Sequence, residues 1–192
     1  KIMKSGLLNP KVGGPSVFPH QPEGVWDRPY SDDKWEMSQG EDRHRRGIYT
    51  FIRRTSPYPS LTTFDAPSRE FCTVRRVRTN TPLQALTTLN DPAFFEAAQA
   101  LARRLLKEAG PDASARALHG FRLCVARRPT AAELERIVAF YDQQLERFRQ
   151  DTKAVRQVTG EEQGWAANAS ELAAWTMVSN ALLNLDETVT KE

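Results

Sequence analysis

The sequence predicts a mainly α-helical protein: a compact bundle of four to five helices, preceded by a Pro/Gly-rich irregular arm and an Arg-rich loop region. Three observations support this class. Apolar residues recur at helical spacing after residue 80, and a capping residue precedes most of the periodic stretches. Prolines and glycines interrupt the first 80 residues. With 40% apolar residues and a mean hydropathy of -0.57, the 192-residue chain has enough apolar side chains for a core.

The first predicted segment, residues 1–46, is an extended arm. Five prolines and five glycines lie within its first 40 residues, so neither a helical nor a strand period is maintained. Disordered segments are poor in aromatic residues, whereas this one contains four. We therefore expect the arm to be pinned to a neighbouring surface by Phe18, Trp26, Tyr30 and Trp35.

The second segment, residues 47–80, is predicted to be an Arg-rich loop region. Its first part, GIYTFIRRT (residues 47–55), is rich in β-branched and aromatic residues and predicts either a short strand or a turn and a half of helix. The remainder is expected to be loop, with a short extended piece near residues 72–77. Asp65 precedes Ala-Pro and is expected to make an Asx-type turn.

The third segment, residues 81–187, is predicted to be an α-helical domain, and residues 188–192 a tail. Four helix starts have a residue whose side chain can accept a backbone N–H, and two of them place proline at the first helical position. These starts are Thr81-Pro82, Asp91-Pro92, Asp112 and Thr130, the last forming a T-x-x-E capping box with Glu133.

Apolar spacing predicts the extent of the helices. Leucines at 83, 86 and 89 predict a short helix that ends near Asn90. The polar residues 151–164 are expected to form a loop, closed by Gly164. A last helix is predicted from Trp165 to about Leu185, and it is expected to bury Leu172, Trp175, Val178 and Leu182.

The distribution of charge is more informative than the net charge of +3. Arginine outnumbers lysine 20 to 7, and within residues 43–78 nine arginines are opposed only by Asp65 and Glu70. The guanidinium fork suits sulfate, phosphate and carboxylate groups. The candidate anion-binding residues are Arg45, Arg46, Arg53, Arg54, Arg69, Arg75, Arg76 and Arg78, with Arg43 beside them. In the alternative interpretation these arginines pair with helix carboxylates such as Glu133, Glu135 and Glu146.

Other kinds of site have weaker support. His20, His44, His119, Cys72 and Cys124 lack metal-ligand spacing, so no metal or cofactor is expected in this chain. The two cysteines either form one disulfide or remain unpaired thiols. No nucleophile motif occurs, and a glycosidase pair drawn from Asp65, Glu70, Asp91 and Glu96 is disfavoured by turn and capping roles. Neither a nucleic-acid-reading pattern nor a transmembrane segment is present.

Five blocks of the sequence, in order, resemble one protein family. They are GGPSVFPHQPEGVW (13–26), RRGIYTFIRRTSPYPSLTTFDAPSRE (45–70), CTVRRVRTNTPLQALTTLNDPAFFEAAQALARRL (72–105), ARRPTAAEL (126–134) and AAWTMVSNALLNLDE (173–187). The chain is similar to the C-terminal part of large secreted planctomycete proteins, in the domain of unknown function numbered fifteen fifty-three. This resemblance implies an exported protein in a periplasmic, cell-envelope or extracellular setting.

The same resemblance implies that the N-terminal portion of a longer protein is a partner. Members of the family often carry a cytochrome-c-like domain, but its haem-binding CxxCH motif is missing here, so an electron-transfer role would belong to another domain. We expect a non-catalytic binding or scaffolding module that recognises anionic, sulfated polysaccharide or a partner domain. The alternative is part of a polysaccharide-active enzyme site completed by the N-terminal region.

Overall fold

The structure is a computed structural model that describes residues 1–26, 34–160 and 169–189. No β-strand occurs among the described residues, and the prediction of a mainly α-helical protein is confirmed. The helices there are α1 (Ile2–Ser5), α2 (Pro59–Thr63), α3 (Pro82–Asn90), α4 (Pro92–Glu108), α5 (Ala113–Val125), α6 (Ala131–Gln150), α7 (Thr152–Thr159), α8 (Ala169–Leu183) and α9 (Asp186–Val189). Six of these have seven or more residues, compared with the four to five helices predicted.

The chain divides into two compact units. The helical unit comprises Lys1–Leu7 and Thr87–Glu192, and the irregular unit comprises Leu8–Leu86. Packing between helices builds the helical unit. The irregular unit contains α2, two short 3₁₀ turns (Gly40–His44 and Gly47–Tyr49) and a cluster of aromatic side chains.

All four predicted helix starts are confirmed. The side chains of Asp91 and Asp112 accept the backbone N–H groups of residues 93 and 115. Thr130 and Glu133 form the predicted capping box. Thr81 caps α3 in the same reciprocal way, because its hydroxyl accepts from the Gln84 N–H and its own N–H donates to the Gln84 side chain.

The core of the helical unit lies between α4 and α8. Leu101 and Leu105 of α4 and Trp175 of α8 are fully buried, and Tyr141 of α6 stacks on Trp175 with ring centroids 4.5 Å apart. Gly120 lets α5 approach this core, since a Cβ there would lie 3.0 Å from a methyl group of Leu105. Burying each such leucine contributes about 1.5–3 kcal/mol. Helix packing therefore holds this unit together.

A charged network ties the end of α5 to α6 and α9. The Arg127 guanidinium donates to Glu133 and Glu187, both at 2.6 Å, and lies over the Phe121 ring. Hydrogen bonds from Arg127, and next from the Thr130 backbone, lower the pKa of Glu133 to about 2. Glu133 is therefore engaged within the helical unit by an arginine outside the candidate set.

The prediction of a loop over residues 151–164 is wrong for most of that range. Residues 152–159 form α7, because Asp151 caps it by accepting from the Ala154 N–H and Val155 is buried. Gly160, with a φ of 74°, ends the helix. Gly164 and the predicted start of the last helix at Trp165 lie outside the described residues. That last helix is confirmed from Ala169 to Leu183.

Four predictions for the first 80 residues are corrected. Within residues 47–55 the regular element is a 3₁₀ turn, Gly47–Tyr49, rather than a strand or an α-helix. The short helix α2 interrupts the predicted loop, with a proline at its first turn. The expected extended piece near residues 72–77 forms no strand in the described chain. The extended arm predicted for residues 1–46 is also wrong for residues 2–5, which form α1 and pack against α4.

Candidate functional site

An aromatic cluster organises the irregular unit. Phe18 stacks on Phe51 at 5.0 Å and meets Trp35 edge to face at 5.1 Å. Trp35 also stacks on Tyr58 at 5.7 Å and contacts Trp26 at 5.2 Å. The prediction that aromatic residues pin the arm is confirmed for the three that are described, and Tyr30 lies outside the described residues. The cluster fixes the arm against residues 49–58.

Backbone hydrogen bonds reinforce this attachment. Val17 donates to the Tyr49 carbonyl at 2.8 Å and accepts from the Phe51 N–H at 2.9 Å, which forms an isolated parallel bridge. The Trp35 indole donates to the Pro19 carbonyl at 2.9 Å. The described part of the arm therefore has a defined path, and its prolines do not prevent this attachment.

The Arg45 side chain stabilises this attachment of the arm. It is 8% exposed, and its guanidinium donates to the carbonyls of Lys11, Gly13 and Pro15 while lying 3.8 Å from the centre of the Tyr49 ring. By donating to three backbone carbonyls, this one side chain holds the arm in a tight curve. The two terminal nitrogens of Arg45 are thus engaged by the fold.

Two neighbouring candidates are also partly engaged. Arg46 is exposed and donates to the Pro10 carbonyl at 3.3 Å. The Arg53 guanidinium lies 5.0 Å from the centre of the Trp26 ring, at cation–π distance. Arg54 is exposed and has no hydrogen-bond or ion-pair partner among the described residues.

A set of hydrogen bonds among Asp65, Thr79 and Gln84, which we term the clasp, closes the next segment at its base. The Asp65 carboxylate accepts from the Thr79 N–H at 2.8 Å and from the Thr79 hydroxyl at 2.9 Å. The Gln84 amide donates to Asp65 at 3.2 Å, to Thr79 at 2.9 Å and to the Thr63 carbonyl at 2.9 Å. Gln84 is 2% exposed, so its own bonds are partly sheltered from water, whereas Thr79 and its bonds to Asp65 are exposed.

The clasp replaces the expected Asx-type turn. That prediction was wrong, because the Asp65 carboxylate accepts from residues 14 and 19 positions further along the chain. Its backbone has a φ of 57°, in the left-handed region that aspartate tolerates better than most residues. The Thr79 N–H is the main cause of a lowered pKa at Asp65, and Thr79, Gln84 and Arg76 add to it. Asp65 is therefore held as a carboxylate.

Residues 66–78, which we term the clasped loop, extend from the clasp into solvent. All but the first are exposed, and four are arginines: Arg69, Arg75, Arg76 and Arg78. Glu70 is the acidic residue of the loop. Arg76 donates to the Phe64 carbonyl at 3.3 Å, whereas Arg69 and Arg75 have no hydrogen-bond or ion-pair partner among the described residues. The loop therefore concentrates positive charge in solvent.

Two of the three helix carboxylates considered as partners for the arginines, Glu133 and Glu146 but not Glu135, have other neighbours in the part of the chain that the structure describes. Glu133 accepts from Arg127, and Glu146 lies 3.9 Å from Arg149. Both of these arginines belong to the helical unit. Structural pairing of Arg69 and Arg75 with an acidic side chain is not seen among the described residues.

The remaining candidate chemistry has little support in the described residues. Cys72 and Cys124 are both free thiols, and burial raises the pKa of Cys124 to about 11. No group of three or more His, Cys, Asp or Glu side chains with metal-binding geometry occurs in the described chain. No helix there is both long and apolar enough to cross a membrane.

Comparison with known proteins identifies the family. The model described as "PSD1: Protein of unknown function (DUF1553)" matches residues 1–141, which is well over half of the chain. The chain belongs to the PSD1 family. The resemblance found in the sequence is thereby confirmed, and the matched part of this PSD1 chain contains the aromatic cluster, the clasp and the clasped loop. No curated protein and no solved structure matches the chain.

Sequence reasoning found the arginines but missed the clasp. The spacing of Thr81 and Gln84 matches the T-x-x-Q form of a capping box and was a usable signal for Gln84. Nothing in the local pattern indicates that the same amide also reaches Thr63, Asp65 and Thr79. Those contacts depend on tertiary structure.

Proposed function

We propose that this chain is a non-catalytic binding module of a larger exported protein, and that the clasped loop is its binding surface. The observation that carries this proposal is a solvent-exposed, Arg-rich loop closed at its base by a buried glutamine. Binding loops are commonly exposed segments held by a rigid scaffold. Here the clasp, rather than packing of the loop itself, supplies that support.

The charge of the loop supports an anionic ligand. Four guanidinium groups and one carboxylate produce a positive local field much larger than the net charge of the chain suggests. Arginine can donate two parallel hydrogen bonds to sulfate, phosphate or carboxylate. Arg69 and Arg75 offer their donors to solvent. We therefore propose an anionic ligand, either a sulfated polysaccharide or a partner domain such as the N-terminal portion of the longer protein.

The state of Asp65 disfavours a role for it as a general acid. A general acid needs a pKa raised towards the working pH, whereas hydrogen bonds lower the pKa of this carboxylate. Its oxygens also hold the clasp closed. Asp65 is therefore better suited to support the loop than to protonate a glycosidic oxygen.

The test measures binding of dextran sulfate and of neutral dextran while the salt concentration is raised from about 0.05 to about 0.5 M, a range over which screening of exposed charges becomes severe. The Arg69→Gln/Arg75→Gln variant is compared with Arg122→Gln/Arg136→Gln, which removes two exposed arginines from helices α5 and α6.

We expect the wild type to prefer dextran sulfate and to lose affinity steeply with salt. The clasped-loop variant should bind at least about tenfold more weakly at low salt, whereas the helix variant should resemble the wild type. Equal affinities for the two variants, or no salt dependence of an observed affinity, would remove the clasped loop as the anion-binding surface.

A further inference from the structure

Helix α3 has an inverted pattern of burial. Gln84 and Thr88 are 2% and 3% exposed, whereas Leu83 and Leu86 are 61% and 57% exposed. At about 100° per residue, the leucines lie on the face roughly opposite the two polar residues. A surface helix normally places its apolar stripe inward and its polar residues outward. The same stripe continues to Leu89, which is also exposed.

The buried polar face has a clear structural cause. Gln84 enters the clasp and makes hydrogen bonds with Thr63, Asp65, Thr79 and Thr81. Because Gln84 must point inward, the leucines one position before it and two positions after it point outward. The inversion is therefore fixed by the same residue that closes the clasped loop.

The clasped loop has exposed apolar side chains of its own. Phe71, Val74 and Val77 are all largely exposed and alternate with its arginines. Several large apolar side chains exposed in one part of a protein usually indicate a surface for a macromolecular partner. An anionic polysaccharide needs the guanidinium groups but gains little from leucine, valine and phenylalanine. The mixture of arginine and apolar residues is typical of protein–protein interfaces.

We propose that the clasped loop and the leucine face of α3 (Leu83 and Leu86) together bind a protein partner whose surface has an apolar stripe bordered by acidic residues. This inference rests on the proposed binding function of the loop and specifies the chemical class of its partner. Carboxylates of the partner meet Arg69 and Arg75, and its apolar stripe covers the leucines. A second copy of this chain is disfavoured, because two clasped loops would bring positive charges together.

The test uses synthetic peptides as probes for the full chain. The main probe is an amphipathic helical peptide with leucines on one stripe and glutamates elsewhere. One comparison peptide has lysine in place of glutamate, and another has serine in place of leucine. Dextran sulfate is the polysaccharide probe. Affinities are measured by fluorescence anisotropy for the wild type and for Leu83→Ser/Leu86→Ser.

Ile48→Ser is the matched control variant. Ile48 is 72% exposed in the same irregular unit but lies in a 3₁₀ turn outside α3 and the clasped loop. All three substituted side chains are exposed, so the variants should keep the wild-type melting temperature and near-UV circular dichroism. A second variant, Arg69→Gln/Arg75→Gln, tests the charged part of the interface.

We expect the acidic amphipathic peptide to bind the wild type at least tenfold more tightly than either comparison peptide. Leu83→Ser/Leu86→Ser and Arg69→Gln/Arg75→Gln should each weaken binding at least tenfold, and Ile48→Ser should not. Equal affinities of the wild type and the leucine variant for this peptide would overturn the inference. So would self-association of the wild type that the leucine variant abolishes, measured by sedimentation.

The two proposals fail in different ways. Dextran sulfate binding that depends on Arg69 and Arg75 but not on the leucines, together with no binding of the acidic peptide, overturns the protein-partner inference and leaves the proposed function intact. If the wild type binds neither dextran sulfate nor the acidic peptide, both the proposed function and the protein-partner inference are refuted.

Discussion

Substitution Gln84→Ala should open the clasp and release the clasped loop. The Gln84 amide has two N–H donors, shared among three acceptors, and its carbonyl oxygen accepts from the Thr81 N–H at 3.2 Å. Counting three effective hydrogen bonds at about 0.5–1.5 kcal/mol each gives about 1.5–4.5 kcal/mol. The higher helix propensity of alanine offsets up to about 0.5 kcal/mol of this loss of free energy. We expect a net local loss of about 2 kcal/mol.

Amide hydrogen exchange measures this loss where it occurs. The Thr79 N–H donates to Asp65 inside the clasp, so its exchange reports clasp opening. A loss of about 2 kcal/mol corresponds to exchange about 30-fold faster. Gln150→Ala provides the control, since Gln150 is exposed and makes one hydrogen bond to Glu146. Exchange of Thr79 that changes less than about threefold in Gln84→Ala would refute the assigned role of this glutamine.

Three further predictions concern stability. Gly120→Ala should destabilise the helical unit by about 1 kcal/mol in urea unfolding, because a Cβ 3.0 Å from Leu105 costs more than alanine's helix propensity returns; a stabilised variant would contradict this packing. Trp35→Ala removes three ring contacts and should lower the free energy of unfolding by about 2 kcal/mol. It should also abolish the near-UV circular dichroism of the aromatic cluster. An unchanged spectrum would show that other contacts hold the arm. Arg127 lowers the pKa of Glu133 to about 2 from an ordinary value of 4.5. This carboxylate therefore stabilises the fold above pH 4.5 and loses that effect as pH falls towards 2. The difference in free energy of unfolding between the wild type and Glu133→Gln should shrink over that range. A difference that stays constant would contradict this pH dependence.

Helix starts were predictable because their signals are local. Asp91, Asp112 and Thr130 each satisfy backbone donors within three residues, so the sequence contains both partners. Helix α7 was missed although Asp151 and Gly160 bound it, because its polar composition outweighed these signals. The capping residues were more informative than polarity in that stretch.

The orientation of α3 could not be predicted from its period. Leucine spacing correctly predicts a helix, but it does not determine which face the rest of the chain covers. The buried face is selected by Gln84, whose partners Thr63, Asp65 and Thr79 come from separate parts of the irregular unit. For the candidate site, the sequence identified charge and residue type, whereas exposure and support of the loop required the structure.

The carbonyl contacts of Arg45 affect how arginine substitutions must be interpreted. A guanidinium carries one charge and five N–H donors, and the charge acts at a distance even when donors are occupied. Arg45 therefore attracts an anion without being available to grip it. In an alanine scan, weaker binding at this position would combine the loss of this charge with displacement of the arm. The number of arginines in the sequence therefore exceeds the number that can donate directly to a ligand.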